Sequence, residues 1–301
     1  MTIAYNPSSG LGKSEASARQ LVGALECSGL EVDLCDARAG IDETSLTQSA
    51  ALVVCGGDGT VLHASAVAVR AGVPLYHVPT GNENLFSRAW GFSRDPEMLV
   101  AALRSGRTVR ADVGLAATQS PAIAPERFLL MWSIGPDSSV ITRLSQSRTR
   151  PNGHAAYLGP VCVEALSPML PTVSISIDGQ SLVERKRGWV IVANCAQYAC
   201  RCNFAPDASM TDGSLDVVFI PATTTLGCCW ALLRARLGTL SSDSRVRRGR
   251  GQCIQVAAKR AQGIAAQIDG ESAMSAECPN ALEVTLSLDP ASLQVLLPAV
   301  N

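Results

Sequence analysis

The pattern of this sequence changes near residue 112, and that change limits the folds open to it. Up to about Arg110, short apolar runs alternate with amphipathic stretches. Ile3-Ala4-Tyr5, Leu30 to Cys35, Ala51 to Cys55 and Val73 to Val78 read as strands. Ser14 to Cys27 reads as a helix with Ala18, Leu21, Val22 and Leu25 on one face, followed by helices from about Thr60 to Ala71 and Pro96 to Ser105. Alternation of this kind implies a parallel sheet covered on both faces, an α/β lobe. Beyond Asp112 come short alternating runs separated by turn residues: Val173 to Ile177 before Asp178-Gly179, then Trp189 to Ala193, Leu215 to Ile220, Ile254 to Ala257 and Leu282 to Leu288. This half is β-rich. The predicted division is 1–111 as an α/β domain, 112–282 as a β-rich domain, and 283–301 as a C-terminal segment.

One helix interrupts the second half. Leu226, Trp230, Leu233, Leu237 and Leu240 fall at spacings of four and three, on a single face. Core packing is the expected use of that face, with a lipid-facing helix as the alternative. Arg245, Arg247, Arg248 and Arg250 form the one marked charge run, read as a solvated loop or else as a surface for anionic headgroups.

Composition excludes several classes. With 47% hydrophobic and 17% charged residues the chain can bury a core. A formal charge of -1 provides no field for holding nucleic acid. No run of about 18 apolar residues is present to suggest a transmembrane segment, and Met1 to Pro7 lacks the features of a signal peptide, so the expected location is cytoplasmic. Most of the eleven cysteines are expected as reduced, buried thiols, and Cys195, Cys200 and Cys202 lack the paired spacing of a zinc site. Only His63, His77 and His154 are available, and no GxSxG elbow occurs, which argues against a hydrolase.

The first, third and fourth strands each lead into a polar, glycine-bearing loop, and ligands of open parallel sheets bind outside the carboxyl ends of the strands. The first loop, Asn6-Pro7-Ser8-Ser9-Gly10-Leu11-Gly12-Lys13-Ser14, opens a helix whose N-terminal N–H groups suit a phosphate. It is not a Walker A, because Pro7 stands where GxxxxGK[ST] needs glycine. The second loop, Gly56-Gly57-Asp58-Gly59-Thr60, lets the backbone approach a polyphosphate, with a carboxylate for its magnesium ion and a hydroxyl for a phosphate oxygen. The third is Pro79-Thr80-Gly81-Asn82-Glu83-Asn84-Leu85.

These loops resemble those of the diacylglycerol kinase catalytic domain family, the lipid kinase and sphingosine kinase branch of the NAD kinase-like superfamily. GGDGT at 56–60 is shared across that superfamily, and Asn6-Pro7 with Ser9-Gly10 is similar to the Asn-Pro-x-Ser-Gly opening of its lipid kinases. Pro79, Gly81 and Asn84 match the family's Pro-x-Gly-Thr-x-Asn-Asp, while Asn82 and Leu85 replace its Thr and Asp. Leu62-His63 stands where lipid kinases carry Asn-Glu, and Val61-Leu62 is similar to NAD kinase. Ala205 to Asp216 resembles the segment that holds a magnesium ion in such lipid kinases; the resemblance implies Asp212 as carboxylate ligand, with Ser209 and Ser214 giving carbonyls. Asp269 in Asp269-Gly270-Glu271 matches the catalytic Asp, although Asp-Gly is equally a hairpin turn, as at Asp178-Gly179.

The resemblance implies a Rossmann-like α/β N-terminal lobe with a parallel sheet, a β-sandwich C-terminal domain, and a final segment, Leu293 to Pro298, that returns to the first lobe. It implies ATP and Mg2+ as cofactors, with nucleotide contacts from Asn6, Gly10, Lys13, Gly56, Gly57, Asp58, Gly59, Thr60, Gly81, Asn82 and Asn84. Magnesium would lie at Asp58 and, separately, at Ser209, Asp212 and Ser214, and Asp269 with Glu271 would be catalytic. The expected reaction is phosphorylation of a lipid hydroxyl, diacylglycerol-like or sphingoid-like, by a protein peripheral to a membrane; a homodimer is compatible with the sequence. An NAD kinase-like enzyme and a catalytically silent nucleotide- or lipid-binding protein are the alternatives.

Overall fold

The computed structural model describes residues 1–120, 123–139, 141, 170–261, 263–273 and 280–299. The chain forms two compact units, Met1–Asp112 with Pro290–Asn301, and Val113–Asp289.

In the first unit, strands β1 (Thr2–Tyr5), β2 (Asp33–Asp36), β3 (Leu52–Gly56) and β4 (Leu75–Pro79) lie parallel in the order β2-β1-β3-β4. Helices α1 (Lys13–Cys27), α2 (Glu43–Leu46), α3 (Asp58–Ala71), α4 (Leu85–Trp90) and α5 (Pro96–Ser105) connect them. β3 is buried along its whole length, which is why it reads as an unbroken apolar run instead of an alternating one. α1 buries Ala18, Leu21 and Leu25 on one stripe. α5 begins with Pro96 behind the Asp95 cap, whose side chain accepts the Glu97 N–H, and ends at left-handed Gly106.

The strands β5 (Thr108–Thr118) and β15 (Ala281–Leu296) carry the chain from one unit to the other. Within the first unit, Val295 of β15 pairs with Leu75 in parallel.

The second unit is an antiparallel β-sandwich built from β6 (Glu126–Phe128), β7 (Met131–Ile134), β8 (Thr172–Ile177), β9 (Gln180–Ala193), β10 (Leu215–Pro221), β11 (Arg247–Gly251), β12 (Ile254–Lys259), β13 (Ala266–Ile268), β14 (Glu271–Ser272) and the opening stretch of β15. β9 serves three ladders: residues 180–187 pair with β8, whereas 188–193 pair with β10 and 190–193 also with β7. β8 and β15 flank β12. One helix, α6 (Thr225–Arg236), packs Cys228, Ala231 and Ala235 into a core with Trp189, Phe204 and Ile220.

Three expectations are corrected. The Arg-rich run is no loop: Arg247 to Gly251 form β11, paired with β10 from Leu215 to Phe219. The large apolar residues of α6 face outward; Leu240 is buried, but Leu226, Trp230, Leu233 and Leu237 are exposed. Cysteine burial is mixed, with Cys55, Cys195, Cys202 and Cys228 buried and Cys27, Cys200, Cys229 and Cys253 exposed. His154 lies outside the described residues.

Candidate active site

The three glycine-bearing loops meet at the carboxyl edge of the first unit's sheet, held by direct bonds. Asn6 is the hinge of the first loop. Its Oδ1 accepts the Ser8 N–H at 3.0 Å, its carbonyl accepts the Ser9 N–H and the Ser14 hydroxyl, and its Nδ2 donates to Thr60 Oγ1 at 3.1 Å. The last bond joins the first loop to the second. The third loop joins through Thr80, whose N–H donates to the Gly56 carbonyl at 2.8 Å and whose hydroxyl donates to Ser9.

Glycine is required where these loops touch. A Cβ on Gly81 would stand 2.7 Å from the Gly57 Cα, and a Cβ on Gly10, at φ +61°, would strike the Thr80 carbonyl oxygen at 2.1 Å. Backbone therefore packs on backbone at this edge, the close main-chain approach that glycine allows. Lys13 and Asn82 are exposed at the rim, Gly59 is partly exposed, and Thr60 is buried with its hydroxyl on Asn6. Asn84, at φ 48°, closes the third loop on itself: its Oδ1 accepts the Gly81 N–H and its Nδ2 donates to the Gly81 carbonyl.

Beneath the second loop, buried His77 places Nε2 3.0 Å from the Gly56 carbonyl. Burial pushes this imidazole down to about 4, with the bond to Gly56 opposing, so it sits neutral under the cradle and donates from Nε2.

Asp58 does something the sequence did not reveal. Its two carboxylate oxygens accept the N–H groups of Leu85 and Phe86, each at 2.9 Å, and so cap α4 from another helix. Burial raises its carboxyl, and those two bonds and Arg88 lower it. These bonds do not suit the direct magnesium ligand expected of Asp58. Leu85, which replaces the family's Asp, is buried at the head of α4.

In the second unit, Asp269 and Gly270 form the two-residue turn between β13 and β14, with φ of 49° and 86°, the signature of a type I′ hairpin. The Asp269 carboxylate is buried and accepts three main-chain N–H groups: Leu129 at 2.7 Å, Leu130 at 2.9 Å and Met131 at 2.8 Å. Glu271, expected beside it, is exposed on β14. Behind the turn lies a polar network with no counterpart in the sequence reading. Ser133 at 2.5 Å, Tyr198 at 2.6 Å and Gln267 at 3.3 Å donate to Asp137 Oδ2, while Gln267 Oε1 accepts the Gly270 N–H at 2.8 Å. Burial pushes the Asp137 carboxyl up and the Tyr198 phenol well above its usual range. Ser133 and Gln267, polar residues inside apolar strands, were the sequence signal for it.

Of the magnesium set expected from the Asp212 carboxylate and the Ser209 and Ser214 carbonyls, the Asp212 carboxylate is engaged by other partners. Asp212 Oδ2 accepts Arg250 Nη2 at 2.5 Å, and its Oδ1 accepts the Ser214 N–H at 3.1 Å; the Ser209 and Thr211 hydroxyls bond each other. Arg250 also reaches Asp216 at 3.3 Å and the Asp207 carbonyl at 3.1 Å. A guanidinium therefore supplies the positive charge beside the Asp212 and Asp216 carboxylates. Among the described residues, no group of three or more His, Cys, Asp or Glu could hold a metal ion. Beside this loop is a cleft of about 240 Å³ lined by Pro206, Asp207, Asp216, Arg248 and Arg250.

A parallel α/β unit with three interlocked glycine-bearing loops at its sheet edge, followed by an antiparallel sandwich, is the architecture of the lipid kinase class. Residues 1–116 match the diacylglycerol kinase catalytic domain, and residues 131–297 match the YegS C-terminal NAD kinase β-sandwich-like domain. The chain belongs to the YegS-like family of diacylglycerol kinase-type proteins. It is 26% identical over 306 residues to a diacylglycerol kinase of Mycobacterium tuberculosis, covering 99% of this chain and 95% of the relative. To a Pseudomonas aeruginosa protein named "Probable lipid kinase YegS-like" it is 29% identical over 273 residues, covering 88% and 82%. A solved Bacillus anthracis diacylglycerol kinase shares the fold, with a TM-score of 0.67 at 18% identity over 98% of this chain and 96% of that one.

Proposed function

We propose that the chain transfers the γ-phosphoryl group of ATP to a hydroxyl of a lipid, working at the periphery of a membrane. The observation that carries this reading is the contact of Gly57 with Gly81 inside a cradle tied together by Asn6, Thr60 and Thr80. Such a cradle suits the polyphosphate of ATP, which enters as its magnesium complex. Gly10, Gly57 and Gly59 would give main-chain N–H groups, with Lys13 and Asn82 at the rim. Positioning and charge stabilisation of this kind provide most of the rate gain in phosphoryl transfer.

In this mechanism the acceptor hydroxyl attacks the γ-phosphorus, the bond to the bridging β-γ oxygen breaks, and ADP leaves. Asp269 is the carboxylate assigned to the hydroxyl proton. Its three main-chain donors hold it in one orientation, which suits a fixed acceptor for a proton released late in a loose transition state. Tyr198, Ser133 and Gln267, through Asp137 and the Gly270 N–H, keep the turn in place.

The test is incubation with γ-labelled ATP and a total lipid extract, with NAD as a parallel acceptor. Label in the organic phase supports the proposal. Label in NADP, or none in either acceptor despite ATP binding, argues for the NAD kinase-like or silent reading.

A further inference from the structure

Helix α6 is built with its apolar faces reversed. The side it turns to the core carries small residues, Cys228, Ala231 and Ala235, whereas its large ones are turned out. Leu226 is 81% exposed, Trp230 52%, Leu233 48% and Leu237 65%. Their spacing of four, three and four places them in one stripe along the helix. A contiguous outward stripe of Leu and Trp marks an interaction surface in a way that scattered apolar residues do not.

Charge identifies the partner. The whole chain carries a formal -1, yet residues 225–250 hold six arginines against one acidic residue, Asp243, and of the six Arg250 is taken up by Asp212 and Asp216. Asp243 answers two of them, Arg234 at 3.1 Å and Arg245 at 2.8 Å, which leaves that triad positive. Arg236 on the helix and Arg247 on β11 are exposed. A second copy of this chain seated on the same surface would bring two arginine-rich segments together, whereas anionic lipid headgroups would meet arginine at the rim and accept Leu and Trp among the acyl chains.

We infer that α6 lies in the plane of an anionic bilayer, with Leu226, Trp230, Leu233 and Leu237 inserted at the headgroup boundary and the nearby arginines against the headgroups. The inference deepens the lipid kinase reading and rests on it for its purpose, since a lipid hydroxyl is presented at that boundary.

Co-sedimentation with sucrose-loaded vesicles tests it, using phosphatidylcholine alone and phosphatidylcholine mixed with phosphatidylglycerol. The protein should sediment with the mixed vesicles, less so as salt rises, with Trp fluorescence shifting to the blue. The double variant Leu226→Ser, Trp230→Ser should lose about tenfold or more in vesicle partition. Its melting temperature and its phosphorylation of detergent-dispersed lipid should be unchanged. Equal sedimentation of the variant, no binding by the wild type, or a dimer in velocity sedimentation that the double variant dissolves would each overturn the docking. Vesicle binding without phosphate transfer supports the docking and counts against the kinase; transfer to dispersed lipid without vesicle binding overturns the docking and leaves the kinase standing.

Discussion

Asp58 and Phe86 are joined by a 2.9 Å bond from the Phe86 N–H to the Asp58 carboxylate, and the neighbouring Leu85 N–H binds the other oxygen. The first residue of α3 thus caps α4, whose own cap residue, Asn84, has no side-chain bond to spare for it. Because the third loop precedes α4, this pair holds the second and third glycine-bearing loops in register. Asp58→Ala should lower stability by about 2–4 kcal/mol, the scale of two hydrogen bonds to a charged acceptor. Asp58→Asn, which keeps one acceptor oxygen, should cost roughly half of that. Urea unfolding measures both, and a negligible effect of Asp58→Ala would mean that the cap is not what orders α4.

The glycine contacts predict a graded result. A methyl on Gly81 would sit 2.7 Å from the Gly57 Cα, while one on Gly57 would sit 3.3 Å from the Gly81 Cα. Gly81→Ala must therefore push the main chains of the second and third loops apart and should cost about 1–3 kcal/mol along with a clear loss of ATP affinity. Gly57→Ala should do less of both. Calorimetric ATP titrations giving the reverse order would contradict the packing of the second loop on the third.

Much of the first unit was legible in the sequence. α1, α3 and α5 announce themselves through apolar spacing and, for α5, through Asp95-Pro96 at the start and Gly106 at the end. β3 was legible because burial on both faces leaves an unbroken apolar run. α4 was missed because it is a six-residue helix capped by Asp58, 27 positions away from Leu85, and no local pattern encodes such a cap. β11 was missed because its residues are Arg and Gly; Gly249 and Gly251 lie close against Ile177, so their lack of a side chain is a packing requirement that resembles a loop signal. On α6 the sequence shows the helical period but not which side faces inward. Periodicity finds a stripe, and the small residues Cys228, Ala231 and Ala235 took the core position instead. Asp269-Gly270 was ambiguous between turn and active site because the residue forms a hairpin turn whatever else it does.

His77 predicts an acid-sensitive fold. An unfolded imidazole protonates near 6.5, whereas this buried one waits until about 4. Its contribution is complete above the unfolded value and drains away as pH falls through that window, on the order of 3 kcal/mol in all. Urea midpoints should fall between pH 7 and pH 5. His77→Gln, which keeps a donor for the Gly56 carbonyl, should flatten that slope; an unchanged slope would assign the acid sensitivity elsewhere.

Arg250 pairs with both Asp212 and Asp216, so the loop that carries them should hold together without added metal. Without nucleotide, magnesium or a chelator should leave the wild-type melting temperature unchanged. Arg250→Ala exposes the two carboxylates to each other and should melt lower, with magnesium restoring some of the loss. A wild-type protein that melts lower in chelator would show a resident cation instead.

The central claim is that Asp269 serves phosphate transfer beyond shaping its turn, and Asp178 provides the matched control. Asp178-Gly179 is the same type of turn, with φ of 47° and 80°, and Asp178 Oδ1 likewise accepts main-chain N–H groups, from Gln252 and Cys253. Labelled-phosphate transfer to lipid should be measured on Asp269→Asn and Asp178→Asn side by side, each confirmed folded and ATP-binding. Asp178→Asn should retain transfer and Asp269→Asn should lose about 10²–10⁴-fold, the scale of a general base. Equal rates in the two variants would contradict that claim.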